Sequence, residues 1–284
     1  MISVYLLRSL PGEMFFLTST LFIVLGILFS AVNTVKIEKL VVPDLVQIGN
    51  MSDIVLDCLY SGVSDQFTLQ WLFNGSHTPV YQWTPLAEPQ VTGILDGRLD
   101  LTYRASPLVK EERRALRIVS IDPELSGEYT CRVLDQGAEA RQTNTMLVFS
   151  TERDFLLEFD RQQPYVEVKC TARGLYPHPD LTLEHNSVMF PRQQQRIWRS
   201  EGLLYDAEST ARLNIPPLGR NHNKLDQITC RLQLLQAGYT AIKKELLYME
   251  GECSNSSSKI NFSIVRIYLM LMVIYQQYLQ LLFR

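Results

Sequence analysis

The sequence predicts an all-β protein built from two tandem sandwiches. Between residues 35 and 250, apolar and polar residues alternate over short stretches, and long apolar runs at helical spacing are missing. Turn residues separate these stretches roughly every 8 to 12 positions, the spacing typical of sandwiches. The 284 residues allow two units of about 100 residues, with a further segment at each end.

The composition is that of an ordinary globular protein. The chain is 46% hydrophobic and 20% charged, and 27 basic residues against 30 acidic ones leave a net charge of −3. Extended disorder requires a lower hydrophobic content than this. Nucleic-acid binding requires a basic surface that displaces counterions from phosphates. We therefore expect no nucleic-acid partner.

The first segment, residues 1–34, predicts a secretory signal peptide. Arg8 precedes an uncharged apolar run from Met14 to Ala31, and the small residues Ser30 and Ala31 offer a cleavage position. An uncleaved membrane anchor is the alternative, because the run approaches the roughly 20 residues that span a bilayer. Either interpretation places the middle of the chain outside the cytosol.

Residues 251–284 predict a Ser-rich stalk followed by a lipid-anchor signal. Small residues around Ser254 and Asn255 are followed by a polar spacer and an apolar tail from Ile264 to Phe283. Signals for glycosylphosphatidylinositol (GPI) attachment have this order, and Ser254 or Asn255 would accept the lipid. A transmembrane helix is a second interpretation, although it would place three glutamines in the hydrocarbon. Plain secretion is the third.

Export makes disulfides the expected state of the cysteines. The five cysteines therefore count as two pairs and one remaining residue. They are Cys58, Cys131, Cys170, Cys230 and Cys253. Cys253 lies in the predicted stalk, and four interpretations of it are open. It is a cysteine without a role, a reactive free thiol, part of an intermolecular disulfide or part of the lipid-attachment region.

In an exported chain, Asn-x-Ser triplets are also candidate glycosylation sites. Asn50, Asn74 and Asn255 each begin an Asn-x-Ser triplet. Asn261 begins another, which is expected to leave with the C-terminal tail.

The clearest predicted strands fall into two sets. The first set comprises residues 54–58, 68–73, 115–118 and 129–133, and the second comprises residues 165–170, 181–183, 211–215 and 228–232. Turn dipeptides such as Asn74-Gly75 and Asp96-Gly97 separate the strands of the first set.

The first unit, residues 35–150, carries a constellation specific to one kind of sandwich. Trp71 follows Cys58, and Tyr129 precedes Cys131 by two positions in Leu-Ser-Gly-Glu-Tyr-Thr-Cys. This pattern resembles an immunoglobulin domain of variable type. The resemblance implies a Cys58–Cys131 disulfide through the core, with Trp71 packed on it and the Tyr129 hydroxyl bonded to nearby backbone. The long stretch between the cysteines leaves room for the two extra strands of this type.

One position departs from the variable-type pattern. Leu125 stands where such domains usually carry an aspartate that pairs with an upstream arginine. We therefore expect that ion pair to be missing and Arg98 or Arg104 to find another carboxylate.

The second unit, residues 151–250, resembles a constant-type immunoglobulin domain. Gly-Leu-Tyr-Pro-His-Pro follows Cys170, and the shorter separation from Cys230 suits that type. The resemblance implies a Cys170–Cys230 disulfide. Leu183 and Ile228 stand in place of the usual tryptophan and tyrosine, so aliphatic side chains are expected to fill this core. The predicted fold is thus two tandem immunoglobulin-like sandwiches, variable-type and then constant-type-like.

Part of the chain resembles a particular family. Cys-Leu-Tyr at 58–60, Leu-Gln-Trp-Leu-Phe at 69–73, Val-Tyr-Gln-Trp-Thr-Pro at 80–85 and the hairpin at 125–131 are similar to the first domain of the insect Beaten-path family. The resemblance covers residues 42–150 and is weaker in the second unit. It implies neuronal cell adhesion and axon guidance, with partners from the Sidestep family or other immunoglobulin-superfamily proteins.

Strand alternation predicts a binding face on the first unit. If Trp71 and Tyr129 point inward, then Gln70, Thr130 and their alternate neighbours point outward on one sheet. Exposed aromatic, leucine and arginine side chains are types that anchor interfaces. The predicted partner-binding residues are Leu72, Tyr81, Trp83, Arg132 and Leu134. Tyr81 and Trp83 either join this face or pack inside the extended sheet.

The residue patterns do not indicate an enzyme. The sequence contains no nucleophile elbow, phosphate loop or zinc-type Cys-x-x-Cys pair. His178 and His185 are expected to be solvated surface residues, so we predict no cofactor and no metal site. The sequence predicts a recognition or adhesion protein on the extracellular side of the plasma membrane, held there by its C-terminal anchor. A soluble secreted immunoglobulin-type ligand or immune decoy is the alternative.

Overall fold

The computed structural model describes residues 34–162, 164–214 and 224–249. The predicted signal peptide up to residue 33, Cys253, both proposed lipid acceptors and the third glycosylation acceptor lie outside these residues. In the part of the chain that is described, no helix has the length and apolar character needed to cross a membrane.

The described residues form 17 strands, joined by turns and three short 3-10 helices. The strands of the first sandwich are β1 (Lys36–Val41), β2 (Leu45–Gln47), β3 (Ile54–Ser61), β4 (Phe67–Phe73), β5 (Tyr81–Trp83), β6 (Gln90–Val91), β7 (Ala115–Ile118), β8 (Gly127–Asp135) and β9 (Ala138–Phe149). Those of the second sandwich are β10 (Asp154–Gln162), β11 (Tyr165–Leu175), β12 (Asp180–His185), β13 (Val188–Met189), β14 (Gln194–Arg199), β15 (Tyr205–Asn214), β16 (Lys224–Leu234) and β17 (Tyr239–Met249).

The first sandwich has the strand order of a variable-type domain. One sheet runs β1-β3-β7, and the other runs β2-β9-β8-β4-β5-β6. The chain changes sheets between β1 and β2 around Pro43, which lacks the N–H needed to continue a ladder. As a result β2 pairs in parallel with β9. The short strands β5 and β6 extend the second sheet beyond β4, as the spacing of the cysteines predicts.

The core of the first sandwich contains the predicted constellation. Cys58 on β3 and Cys131 on β8 form a disulfide with an S–S distance of 2.03 Å. Trp71 lies directly opposite Cys131 and is fully buried. The Tyr129 hydroxyl donates a hydrogen bond to the carbonyl oxygen of Leu125 at 2.9 Å. The disulfide, the tryptophan and the tyrosine corner are therefore confirmed.

The two arginines find carboxylates elsewhere, as expected. Arg98 forms ion pairs with Asp122 at 2.8 Å and with Glu124 at 2.7 Å. Arg104 pairs with Glu112. The Arg98 pairs lie next to the turn that precedes β8, so they stabilise the same corner that Tyr129 does.

The second sandwich has a constant-type strand order with one short addition. Its sheets run β10-β11-β15-β14 and β13-β12-β16-β17, where the two-residue strand β13 is the addition to the usual arrangement. Cys170 and Cys230 form a disulfide between β11 and β16. Leu183 lies opposite Cys230, the position that Trp71 has in the first sandwich. Leu183 and Ile228 are fully buried, so aliphatic side chains do fill this core.

The two sandwiches meet directly after β9. The Ser150 N–H donates to the carbonyl oxygen of Tyr176 at 2.9 Å, and the Ser150 hydroxyl donates to that of Gly174 at 2.7 Å. Phe149 packs against the second core, with its ring centroid 6.4 Å from that of Tyr239. The junction is therefore ordered by backbone pairing and by side-chain packing.

Candidate protein-binding face

The candidate site is the outer face of the six-stranded sheet of the first sandwich. Side chains alternate across a strand, so residues next to the inward Trp71 and Cys131 point to this face. The ladder registers align one outward residue from each of five neighbouring strands. This central row consists of Gln90 on β6, Gln82 on β5, Gln70 on β4, Arg132 on β8 and Arg141 on β9.

Hydrogen bonds connect the middle of the central row. The Gln70 amide nitrogen donates to the side-chain oxygen of Gln82 at 2.6 Å. Arg132 Nε donates to the Gln70 side-chain oxygen at 2.8 Å, and a terminal guanidinium nitrogen donates to the same oxygen. Because both ends of the Gln70 amide are engaged, its orientation is determined by its neighbours.

Exposure increases from the middle of the central row towards its ends. Gln70 is buried, Gln82 and Arg132 are half-buried, and Gln90 and Arg141 are exposed. The buried amide of Gln70 is satisfied by its partners in the row. The middle of the row thus presents polar groups whose positions are already restricted before any partner binds.

Two further rows flank the central row. On one side, Leu134 lies between Thr68 and Glu139. On the other side, Thr130 lies between Leu72 and Thr143, and the two threonine hydroxyls are 2.7 Å apart. The face is therefore mixed in character, with one half-buried leucine beside an arginine and amide network.

Three of the five predicted partner-binding residues are not available on this face. Tyr81, Trp83 and Leu72 are 3%, 2% and 2% exposed. Tyr81 and Trp83 point inward because they pair in register with the inward residues Trp71 and Leu69. Leu72 follows the outward alternation, but at this exposure it presents almost no surface to a partner. The prediction of an exposed side chain is wrong for Leu72, and for Tyr81 and Trp83 the structure selects the alternative in which they pack inside the extended sheet.

Tyr81 and Trp83 instead stabilise the sandwich. The Tyr81 hydroxyl donates to the carbonyl oxygen of Arg113 at 2.8 Å, and Trp83 Nε1 donates to that of Ala87 at 3.1 Å. Burial raises the pKa of Tyr81 above its usual value, so the phenol keeps the proton that it donates. Both aromatic side chains therefore have their polar atoms satisfied within the fold.

Arg132 and Leu134 remain at the face as half-buried residues. Sequence reasoning named both, but it missed Gln82, Gln90 and Arg141 as members of the central row. Their positions follow only from the register of β5, β6 and β9. The short β5 and β6 offer too few residues for an alternation pattern to show in the sequence.

The glycosylation acceptors within the described residues lie at one end of the first sandwich. Asn50 follows Gln47, which pairs with Phe149 at the end of β9. Asn74 follows β4, and its side-chain oxygen accepts a hydrogen bond from the Glu128 N–H at 2.9 Å. This is the end of the first sandwich that joins the second sandwich.

His178 and His185, the two histidines considered for a metal site, lie in different surroundings. His178 is exposed, with its ring centroid 5.4 Å from that of Tyr205. His185 is half-buried, and its Nε2 lies 3.0 Å from a carboxylate oxygen of Asp226. Among the residues that the structure describes, no group of three His, Cys, Asp or Glu side chains could hold a metal ion.

Solved structures with a similar fold exist, whereas sequence comparisons find no match. No protein-family model matches the chain, and no curated protein matches it in sequence. Among solved structures, that of bovine butyrophilin superimposes with a TM-score of 0.56 at 17% identity, covering 75% of this chain and 97% of that chain.

Two other solved structures match with lower TM-scores. A marsupial T cell receptor has a TM-score of 0.37 at 18% identity over 76% of this chain and 97% of that chain. An amphioxus IgVJ-C2 molecule has 0.47 at 18% identity over 72% of this chain and 100% of that chain. The butyrophilin match, the strand orders and the two disulfides together show the fold: this chain has two tandem immunoglobulin-like sandwiches.

Proposed function

We propose that this chain is a cell-surface recognition protein that binds another cell-surface protein through the outer face of its first sandwich. The observation that carries the proposal is the central row. Its amide and guanidinium groups are aligned across five strands, and hydrogen bonds connect the middle three, which are Gln82, Gln70 and Arg132. Groups that are ordered in advance lose less entropy when a partner binds.

Extracellular location is part of the proposal. Two disulfides inside the sandwiches suit an oxidising compartment. Asn50 and Asn74 are exposed, as glycosylation requires. Attachment of a lipid at Ser254 or Asn255 would tether the chain to the outer leaflet, and this part of the proposal rests on the sequence pattern alone.

The proposed partner is another protein with immunoglobulin domains. The resemblance of residues 42–150 to the Beaten-path family favours Sidestep-family proteins and a role in neuronal adhesion and axon guidance. Interfaces of this kind combine a partly apolar centre with polar groups, and Leu134 beside Arg132 supplies both.

A binding screen tests the proposed function. Cells that display the full chain are incubated with multimerised ectodomains of immunoglobulin-superfamily proteins, with Sidestep-family members among them. We expect one or a few ectodomains to bind, and cells without the chain serve as the control. If no ectodomain binds, the proposal is wrong.

Phospholipase treatment of the same cells tests the anchor. A GPI-anchored chain is released into the medium by phosphatidylinositol-specific phospholipase C. A chain that stays on the cells contradicts lipid anchoring. A chain that appears in the medium without treatment is the secreted alternative.

A further inference from the structure

The central row ends in two arginines that face each other. Arg132 on β8 and Arg141 on β9 are direct cross-strand partners on the outer face. Like charges at directly opposite positions of an antiparallel pair destabilise the sheet. Within the described ranges, no carboxylate forms an ion pair with either guanidinium, although Glu139 lies two residues from Arg141 on the same strand. The pair thus has two positive charges that the sandwich itself does not neutralise.

The guanidinium of Arg132 is held in place, but some of its N–H donors remain available. Gln70 accepts hydrogen bonds from Arg132 Nε and from one terminal nitrogen. An arginine has five N–H donors, so donors remain for another acceptor. Arg141 is exposed next to it and adds a second planar fork. Planar guanidinium forks match the two oxygens of a carboxylate.

We propose that Arg132 and Arg141 together bind a carboxylate side chain of the partner, so that the partner is a different protein with an acidic face. This inference rests on the proposed function. A second copy of this chain is a poor occupant. In a symmetric dimer the same patch meets itself, which would bring four guanidinium groups together near the centre of the contact. The nearest acidic side chain on this face by register is Glu139, one row away.

The test measures how tightly the partner from the binding screen binds to variants of the full chain on cells. We expect Arg141→Glu to weaken binding at least about tenfold, because it replaces an attraction by a repulsion. Lys39→Glu is the matched control, since Lys39 is exposed on β1 in the opposite sheet and undergoes the same change of charge. The control should change binding less than about twofold.

Two further variants separate a carboxylate site from general attraction. Arg132→Lys keeps the charge but loses the planar fork, and we expect it to weaken binding several-fold. Replacing the partner's contacting acidic residue by arginine should restore binding to the Arg141→Glu variant. Surface staining with an antibody against the folded ectodomain confirms that each variant folds.

The possible outcomes distinguish this inference from the proposed function. If the partner binds Arg141→Glu as well as it binds Lys39→Glu, the carboxylate site is wrong while the proposed function stands. If the partner is a second copy of this chain, the inference of an acidic, different partner is also wrong. If the screen finds no partner, both proposals are wrong.

Discussion

At the residue scale, Gln70 connects the core of the first sandwich with its outer face. Its backbone neighbour Trp71 packs inside, while its own amide links Gln82 to Arg132 on the outside. The amide is buried, so both of its polar atoms need partners. Gln70 is therefore a positioning residue for Arg132.

Removal of the Gln70 amide should destabilise the fold. We expect Gln70→Ala to lower the free energy of unfolding by about 1–2 kcal/mol, because Arg132 and Gln82 each lose a partner. Gln90→Ala, at the exposed end of the same row, should change it by less than about 0.5 kcal/mol. Urea unfolding of the two variants checks this difference, and equal effects would contradict it.

Buried phenols should make the protein sensitive to alkaline pH. Burial raises the pKa values of Tyr60, Tyr81 and Tyr129 above the ordinary value of 10.0. Above pH 10 the unfolded chain loses these protons while the folded chain keeps them. Below pH 10 these three tyrosines should therefore add no pH dependence to the free energy of unfolding. Above pH 10 the free energy of unfolding should fall as the pH rises. Thermal unfolding between pH 8 and about pH 11 measures this, and a constant midpoint would count against it.

At the scale of single elements, the sequence predicts best the strands that contribute buried side chains to the cores. The predicted strand at 115–118 matches β7, and those at 54–58 and 129–133 lie within β3 and β8. Exposed strands are harder to predict. β14, for example, is largely exposed and has no alternating apolar pattern, so only its pairing with β15 defines it.

The second core shows how one element tolerates the loss of a signature residue. Leu183 on β12 takes the place opposite Cys230 that a tryptophan usually occupies. We expect Leu183→Ala to lower the free energy of unfolding by about 2–5 kcal/mol, since it leaves a cavity beside the disulfide. Val188→Ala on the neighbouring β13, where the side chain is 69% exposed, should cost less than about 0.5 kcal/mol. Comparable midpoints in chemical denaturation would contradict the role of Leu183.

At the scale of the whole molecule, contacts at the junction attach the first sandwich to the second. Phe149 belongs to the last strand of the first sandwich but packs against the core of the second. The Tyr239 hydroxyl donates to the Glu152 carboxylate at 2.9 Å. Burial, and to a smaller extent this hydrogen bond, raises the pKa of Tyr239 to about 12. The Phe149 packing joins the two sandwiches directly, and the contact between Tyr239 and Glu152 lies beside it in the second sandwich.

Loss of packing at the junction should loosen it locally. We expect Phe149→Ala to increase amide hydrogen exchange at Ser150 and Tyr176, whose backbone groups bond to each other across the junction. Tyr129, inside the first core, is the internal control and should exchange at its original rate. Hydrogen exchange followed by mass spectrometry measures both. Unchanged exchange at Ser150 would show that Phe149 does not hold the junction.

The fold class could be predicted from the sequence, and the resemblance to immunoglobulin domains added the two disulfides and the corner made by Tyr129. These depend on local alternation and on residue types whose roles are the same wherever a sandwich forms. Which side chains line the outer face of the six-stranded sheet follows from the tertiary structure alone. Tyr81 and Trp83 point inward, and Gln82, Gln90 and Arg141 join Gln70 and Arg132, because inter-strand register brings together residues that are far apart in the chain. A shift of one residue in that register would reverse the two faces, and nothing within a single short strand specifies it.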